Sequence, residues 1–403
     1  MVAILTRIFG LENWQLAEDV VQDTLLQALQ QWAYRGVPEN PGGWLMQVAK
    51  NRAIDVLRRQ SNLRQKVLQL DPDGGTEHEL ERSLVFEDKM ADDQLTMLFI
   101  GCHPALSAEM QIALLLKTLC GFGVSEIARA FLLPEVTIAQ RIVRTKRKLR
   151  EQTLTFDLPP ESELLKRLDG VLTVLYLMFN EGYNASQGAN LVREELCWEA
   201  IRLGELLAEH RLGNQPRVHA LLALMWLQAS RLPTRTTAEG DLLLLTEQDR
   251  SKWNHEAIQR GMGHLEQAGV GEELSEYHLQ AGIAACHTLA PSYAETDWES
   301  VLFYYDNLVK VNSSPVFALN RAVALAMVRG TDAGLQALED IKGLDDYYML
   351  LATYGELYER SRLPHQASDY YQRALALTQN AAEQNFLKKK LSNLEPNLQN
   401  GRN

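Results

Sequence analysis

Two runs of cations stand out in the 403-residue chain. Six positive charges and one negative lie between Lys50 and Lys66, and six with no acid lie between Arg141 and Arg150. Clustered Lys and Arg suit phosphate, whatever the average charge of the chain. The second run closes a longer pattern from Gly123 to Leu149 that reads as a helix-turn-helix. Ser125 is placed to cap a short helix, Ile127, Ala128 and Phe131 face inward, and Pro134 breaks the chain. A second helix then starts near Glu135, with Ile138, Ile142 and Leu149 as its buried stripe. Its other face offers Thr137, Gln140, Arg141, Arg144 and Lys148 to base edges and phosphates of a major groove. One basic run alone is usually a solvated helix face; two, each inside a helical pattern, point to nucleic acid.

Other chemistries find little support. Cys102, Cys120, Cys197 and Cys286 are far apart, and no Cys-x-x-Cys or Cys/His set has ligand spacing, so no metal and no cofactor is expected and the thiols read as reduced. Asn180-Glu181-Gly182-Tyr183 and Glu194-Glu195 bring carboxylates near one another. No nucleophile–base pair or phosphate loop accompanies them, so the chain is not read as an enzyme. No apolar run approaches the ~18 residues of a membrane span, and Met1–Arg7 lacks a signal-peptide pattern, which gives a cytoplasmic expectation. The net charge of −12 is unevenly spread. Up to Thr155 there are 18 Lys+Arg against 19 Asp+Glu, and beyond it 22 against 33.

The elements that would hold these residues are helices. Apolar residues recur at three and four spacings in Leu16-Val20-Val21-Leu25-Leu29 and in Trp44-Leu45-Val48-Ala49, and no useful strand alternation occurs. The fold class is therefore all-α. Proline and glycine punctuate the chain at Pro38, Pro41-Gly42-Gly43, Pro104, Pro134 and Pro159-Pro160. Modules are expected at 1–65 and 90–152, joined by an acidic linker at 66–89, and at 160–395. In the last of these, Gly355, Tyr358, Ala367, Tyr371 and Ala374 stand at tetratricopeptide places, and Ala322, Leu325, Gly334, Leu338 and Ile341 repeat them 33 residues earlier. The repeat reading is clearest over 315–378, while residues 160–290 read equally as an ordinary helical bundle.

Taken in order, these motifs resemble the extracytoplasmic-function group of sigma-70-type RNA polymerase factors, specifically those with a C-terminal tetratricopeptide-like domain. Ala17-Glu18-Asp19-Val20-Val21-Gln22-Asp23-Thr24-Leu25-Leu26 is similar to the region 2 helix that docks on core polymerase, which implies contacts from Asp19, Gln22, Asp23 and Leu26. Trp44 to Arg59 resembles the helix that meets the −10 element. That implies Lys50, Arg52, Arg58 and Arg59 on phosphates, Asn51 on a base edge, and Tyr34–Gly43 as a loop that captures a flipped base of the melted strand. Trp44 reads as core. Leu106 to Arg150 resembles region 4, which reads the −35 element, so Thr137, Ala139, Gln140, Arg141, Val143, Arg144, Arg147 and Lys148 are its implied DNA contacts. Ala139 and Val143 depart from the larger or basic groups often found there. Met1–Leu11 supplies less helix than region 2 usually begins with. Leu175-Tyr176-Leu177-Met178-Phe179-Asn180-Glu181-Gly182-Tyr183 also belongs to the resemblance, and Leu175, Phe179, Asn180, Glu181 and Tyr183 are expected at an inter-domain contact. The implied partners are core RNA polymerase, duplex promoter DNA, the melted −10 strand and a possible protein partner of the C-terminal domain. Regulation in cis by that acidic domain is the further expectation. The other reading is a stand-alone helix-turn-helix regulator or repeat scaffold, which would have no need of Asp19–Leu26 together with Asn51–Arg59.

Overall fold

The computed structural model describes residues 1–67, 90–130, 133–152, 156, 160–183, 194–237, 243–345, 347–378 and 381–400. Eighteen α-helices and no strands occur among the described residues. The acidic linker expected at 66–89 lies almost wholly outside them, as do Phe131 and the side chain of Arg59. The chain divides into two compact units, Met1–Leu175 and Tyr176–Asn403.

The first unit contains α1 (Val2–Phe9), α2 (Trp14–Arg35), α3 (Pro41–Val67), α4 (Met90–Gly101), α5 (Ala108–Thr118), α6 (Val124–Ala130) and α7 (Glu135–Glu151), with the first part of α8 (Glu161–Tyr183). Helices α1 to α3 close one core of Leu5, Phe9, Ala17, Val20, Ala49 and Ala53. Helix α3 starts earlier than expected, so Pro41-Gly42-Gly43 is its first turn and the loop shrinks to residues 36–40. The cause is local: Asn40 Oδ1 accepts the Gly43 N–H at 2.8 Å, and Pro41 occupies the position whose missing N–H costs a helix nothing. Ser125 does not cap α6. Glu126 Oε2 instead accepts the Gly123 N–H at 2.7 Å, which places the cap two residues earlier.

A second core joins the two halves of this unit. Ala3, Leu11 and Trp14 pack with Met97, Ile100, Leu106, Leu114 and Leu149, and Phe156 lies against them. Each such buried aliphatic side chain contributes about 2 kcal/mol relative to exposure. Helix α8 enters on the same side: Arg167 is buried and donates to the Phe99 carbonyl at 3.3 Å. A Cβ on Gly170 would stand 2.8 Å from Gln111 Oε1 and 3.5 Å from Cys102 Cβ, so a larger residue would push α8 away.

The second unit continues α8 and adds α9 (Glu194–Glu209), α10 (Pro216–Ala229), α11 (His255–Ala268), α12 (Glu276–Leu289), α13 (Trp298–Val311), α14 (Pro315–Arg329), α15 (Thr331–Glu339), α16 (Tyr348–Arg360), α17 (Pro364–Leu377) and α18 (Ala381–Asn400). Helix α10 is almost wholly buried between α11 and α12. From α13 onward successive helices pack on their neighbours. Gly355 lets the Tyr371 ring lie where a Cβ would meet it at 2.6 Å.

Candidate nucleic-acid interface

Helix α7 presents its charge because its apolar residues are spaced to face one way. Ile138, Ile142, Thr145 and Leu149 are buried, and Thr145 satisfies its hydroxyl on the Arg141 carbonyl at 2.8 Å. Thr137, Gln140, Val143, Arg144, Arg147 and Lys148 are exposed on the opposite side, while Ala139 and Arg141 are half-buried. Val143 is 64 % exposed, an apolar group held out towards solvent among cations. Arg147 has a loose 3.8 Å pairing with Glu151, and Lys148 Nζ donates to the Ala105 carbonyl at 2.7 Å.

Lys146, which the sequence reading passed over, is turned inward. Its Nζ lies 2.6 Å from Glu18 Oε2 and 3.3 Å from Gln15 Oε1 on α2. No local signal in the sequence marks this pair, because the partners are 128 residues apart.

On α2 the buried line is Ala17, Val20, Thr24 and Ala28, not the stripe through Leu25 and Leu29. Thr24 enters the core by giving its hydroxyl to the Val20 carbonyl at 2.7 Å. Small residues fill the crowded side, so the leucines are displaced outward: Leu25, Leu26 and Leu29 are 45 %, 56 % and 70 % exposed. Asp19, Gln22 and Asp23 are exposed beside them. Gln15 Nε2 donates to Asp19 at 3.0 Å, and Asp23 pairs with Arg52 at 3.0 Å. The spacing of Ala17, Thr24 and Ala28 was the signal that could have shown this.

On α3, Arg52 folds back onto α2 and also donates to Gln27 at 2.9 Å. Asn51 accepts from Gln47 at 3.1 Å, while Lys50 is half-buried and Arg58 exposed. Trp44 meets Trp32 edge to face at 5.4 Å and is half-buried. These residues share one helix but not one direction.

Residues 1–63 match the family described as Sigma-70 region 2, and residues 96–149 match Sigma-70, region 4. An uncharacterized protein of Rhizobium meliloti (strain 1021) is 36 % identical over 388 residues, covering 95 % of this chain and 90 % of that protein. The chain carries sigma-70 regions 2 and 4. A sigma factor directs promoter-specific transcription, and its partners are core RNA polymerase and promoter DNA. Residues 167–269 match a further family of unknown function, DUF6596, and no solved structure matches the chain.

The remaining motif of this sigma factor, Leu175 to Tyr183, crosses the unit boundary. Leu175 is fully buried in α8. Within the second unit Phe179 stacks on Tyr183 at 5.7 Å, and its carbonyl faces Cys197 Sγ at 3.6 Å. Arg235 lies 4.0 Å over the Tyr183 ring and donates to the Tyr183 carbonyl at 3.1 Å. Asn180 bonds to Tyr176, and Glu181 is buried. No helix among the described residues is long and apolar enough to cross a membrane, and none of their His, Cys, Asp or Glu form a group of three able to hold a metal ion.

Proposed function

We propose that the chain is an extracytoplasmic-function-type sigma factor whose α2 face engages core polymerase and whose α3 and α7 engage the −10 and −35 elements. One observation carries this reading: an exposed face of acids and leucines on α2 coexists with an exposed cationic face on α7 in a single unit. Asp19, Gln22, Asp23 and Leu26 would meet a basic, partly apolar polymerase surface. Lys50, Asn51, Arg52, Arg58 and Arg59 would hold the −10 strand, which requires Arg52 to leave Asp23. Thr137, Gln140 and Arg144, flanked by Ala139 and Val143, would face bases, with Arg141, Arg147 and Lys148 on phosphate.

The shared core of α1, α2, α4, α5 and α7 adds a mechanical requirement. Elements centred about 25 base pairs apart are separated by ~85 Å of duplex, at ~3.4 Å per pair. A compact body of residues 1–175 has a radius of gyration of roughly 16 Å. It does not span that distance, so the packed unit is a resting form that opens on engagement. We assign the second unit to the tetratricopeptide-like class on the packing of Gly355, Ala367, Tyr371 and Ala374, and we assign it regulation in cis. Its excess of acids favours contact with basic faces, and its covalent attachment supplies a high effective concentration. Run-off transcription with core polymerase and promoter fragments tests the assignment; a folded chain that gives no promoter-dependent transcript would defeat it.

A further inference from the structure

The second unit is acidic overall, yet it holds a group of donors with no acid among them. Arg250 lies 4.7 Å over the Trp253 ring, and Arg231 lies 5.7 Å from the same ring. Arg250 Nη1 donates to the carbonyls of His287 and Ala290, the latter at 2.6 Å, which seats it at the C-terminal end of α12. His287 in turn meets the Trp298 ring edge to face at 5.3 Å. These contacts make one contiguous cluster from segments well separated in the chain.

Guanidinium groups drawn partly out of water are normally matched by carboxylates, because an uncompensated charge there is costly. Here they are not. Arg231 donates to Gln248 at 3.2 Å and Gln228 at 3.3 Å, both neutral, and its cation is disfavoured by burial and by another arginine, Arg235. Arg250 is acted on by Arg231. Among the described residues neither has an ion-pair partner. Among the described residues four buried polar atoms of the cluster also find no partner: Arg250 Nη2, His287 Nδ1 and the indole Nε1 of Trp253 and Trp298. Three of the four can only donate, and a neutral imidazole donates from Nδ1 in one of its two tautomers.

We propose that Arg231, Arg250, Trp253, His287 and Trp298 form a binding site for a phosphate group. The occupant must bring several acceptor oxygens and negative charge. A carboxylate supplies two oxygens and one charge, which leaves one of the two guanidinium groups unmatched. A phosphate supplies three oxygens and about 1.5 to 2 charges, which matches both. The site lies outside every polymerase or DNA contact assigned above, and its ligand is a phosphate-bearing molecule read by the second unit.

The test uses the full-length protein and inorganic phosphate at constant ionic strength, with acetate as the carboxylate comparison. Thermal unfolding and tryptophan fluorescence are recorded across the titration. Phosphate is expected to raise Tm saturably and change the fluorescence, and acetate to do neither. Arg250→Gln should raise the half-saturating concentration roughly tenfold or more, the loss expected for a charge-assisted hydrogen bond. Trp298→Phe keeps the ring and removes only one donor, so it serves if Arg250→Gln does not fold, and it should weaken binding severalfold. A non-saturating response, an equal response to acetate, or unchanged affinity in the folded variants would each overturn the proposal.

Discussion

Lys146 and Glu18 form a nearly buried ion pair, 2.6 Å apart with side chains 11 % and 13 % exposed, that ties α7 of the region 4 match to α2 of the region 2 match. Beside it runs the apolar core of Trp14, Ile100, Leu114 and Leu149. Removing one partner strands the other charge out of water, which costs about 3 kcal/mol, whereas removing both is much milder. Glu18→Gln and Lys146→Met should each lower Tm, and the double variant should recover a large part of the loss. Both single variants should also increase the distance between fluorophores placed on α3 and α7. Unchanged distances with unchanged Tm would show that the pair does not hold the unit closed.

Why part of this was readable and part was not follows from where the information resides. The α7 stripe of Ile138, Ile142 and Leu149 is local and periodic, and those residues are buried as the spacing implies. On α2 the same rule misled, because Leu25 and Leu29 fit a helical stripe as well as Ala17, Thr24 and Ala28 do. Close packing against α1 and α3 chose the smaller set. The cap of α6 turned on which of two suitable side chains, Ser125 or Glu126, reached back. Lys146–Glu18, Arg52–Asp23 and Arg167–Phe99 join distant segments and leave no trace in spacing.

Polymerase binding should depend on the exposed side of α2. Asp19 and Asp23 are exposed, and the Asp23–Arg52 pair has side chains 61 % and 36 % exposed, so replacing both acids by Lys costs little stability. The double variant should keep its Tm within a few degrees and lose co-purification with core enzyme. Leu26→Ser should give the same loss without any charge change. Retained binding in both folded variants would remove α2 from the interface.

DNA binding should separate into two behaviours along α7. Arg144→Ala is expected to cost about 1–3 kcal/mol at particular promoter positions, and Gln140→Ala likewise. Arg147→Ala should weaken all sequences alike and reduce the salt slope by about one. Binding curves on promoter variants at several salt concentrations distinguish them. A uniform loss from Arg144→Ala would make it a phosphate contact.

Acid should destabilise the second unit through His287. Burial, reinforced by Arg231 and Arg250, pushes this imidazole down to about 4, below its unfolded value of about 6.5. The unfolded chain therefore binds the proton first as pH falls. The stability is fully present above about pH 6.5 and is lost progressively towards pH 4, by about 2 kcal/mol at pH 5. His219 and His278 are also lowered by burial and act in the same direction. Calorimetry from pH 7 to pH 5 should show Tm falling, with a shallower fall in His287→Gln. Equal slopes would mean that His287 takes up its proton without strain in the folded protein.

Where the chain is cut decides what a test of cis regulation measures. Ending it after Gln152 removes all of α8, including Arg167 on the Phe99 carbonyl and the segment around Gly170 that packs on Gln111 and Cys102. Those contacts belong to the first unit, so their loss destabilises it whether or not the second unit regulates anything. Cys102 reports the damage: burial raises its thiol far above the ordinary range, and it should resist alkylation in the intact protein. A chain ending at Gln152 should melt several degrees below one ending at Leu175 and expose Cys102 to reagent. The chain ending at Leu175 keeps the first unit whole and lacks only the second. Transcription and polymerase affinity should differ between it and the full-length protein, a gain identifying an inhibitor and a loss a required activator. If the two behave alike while Cys102 stays protected in both, the second unit is a passive passenger and regulation in cis is wrong.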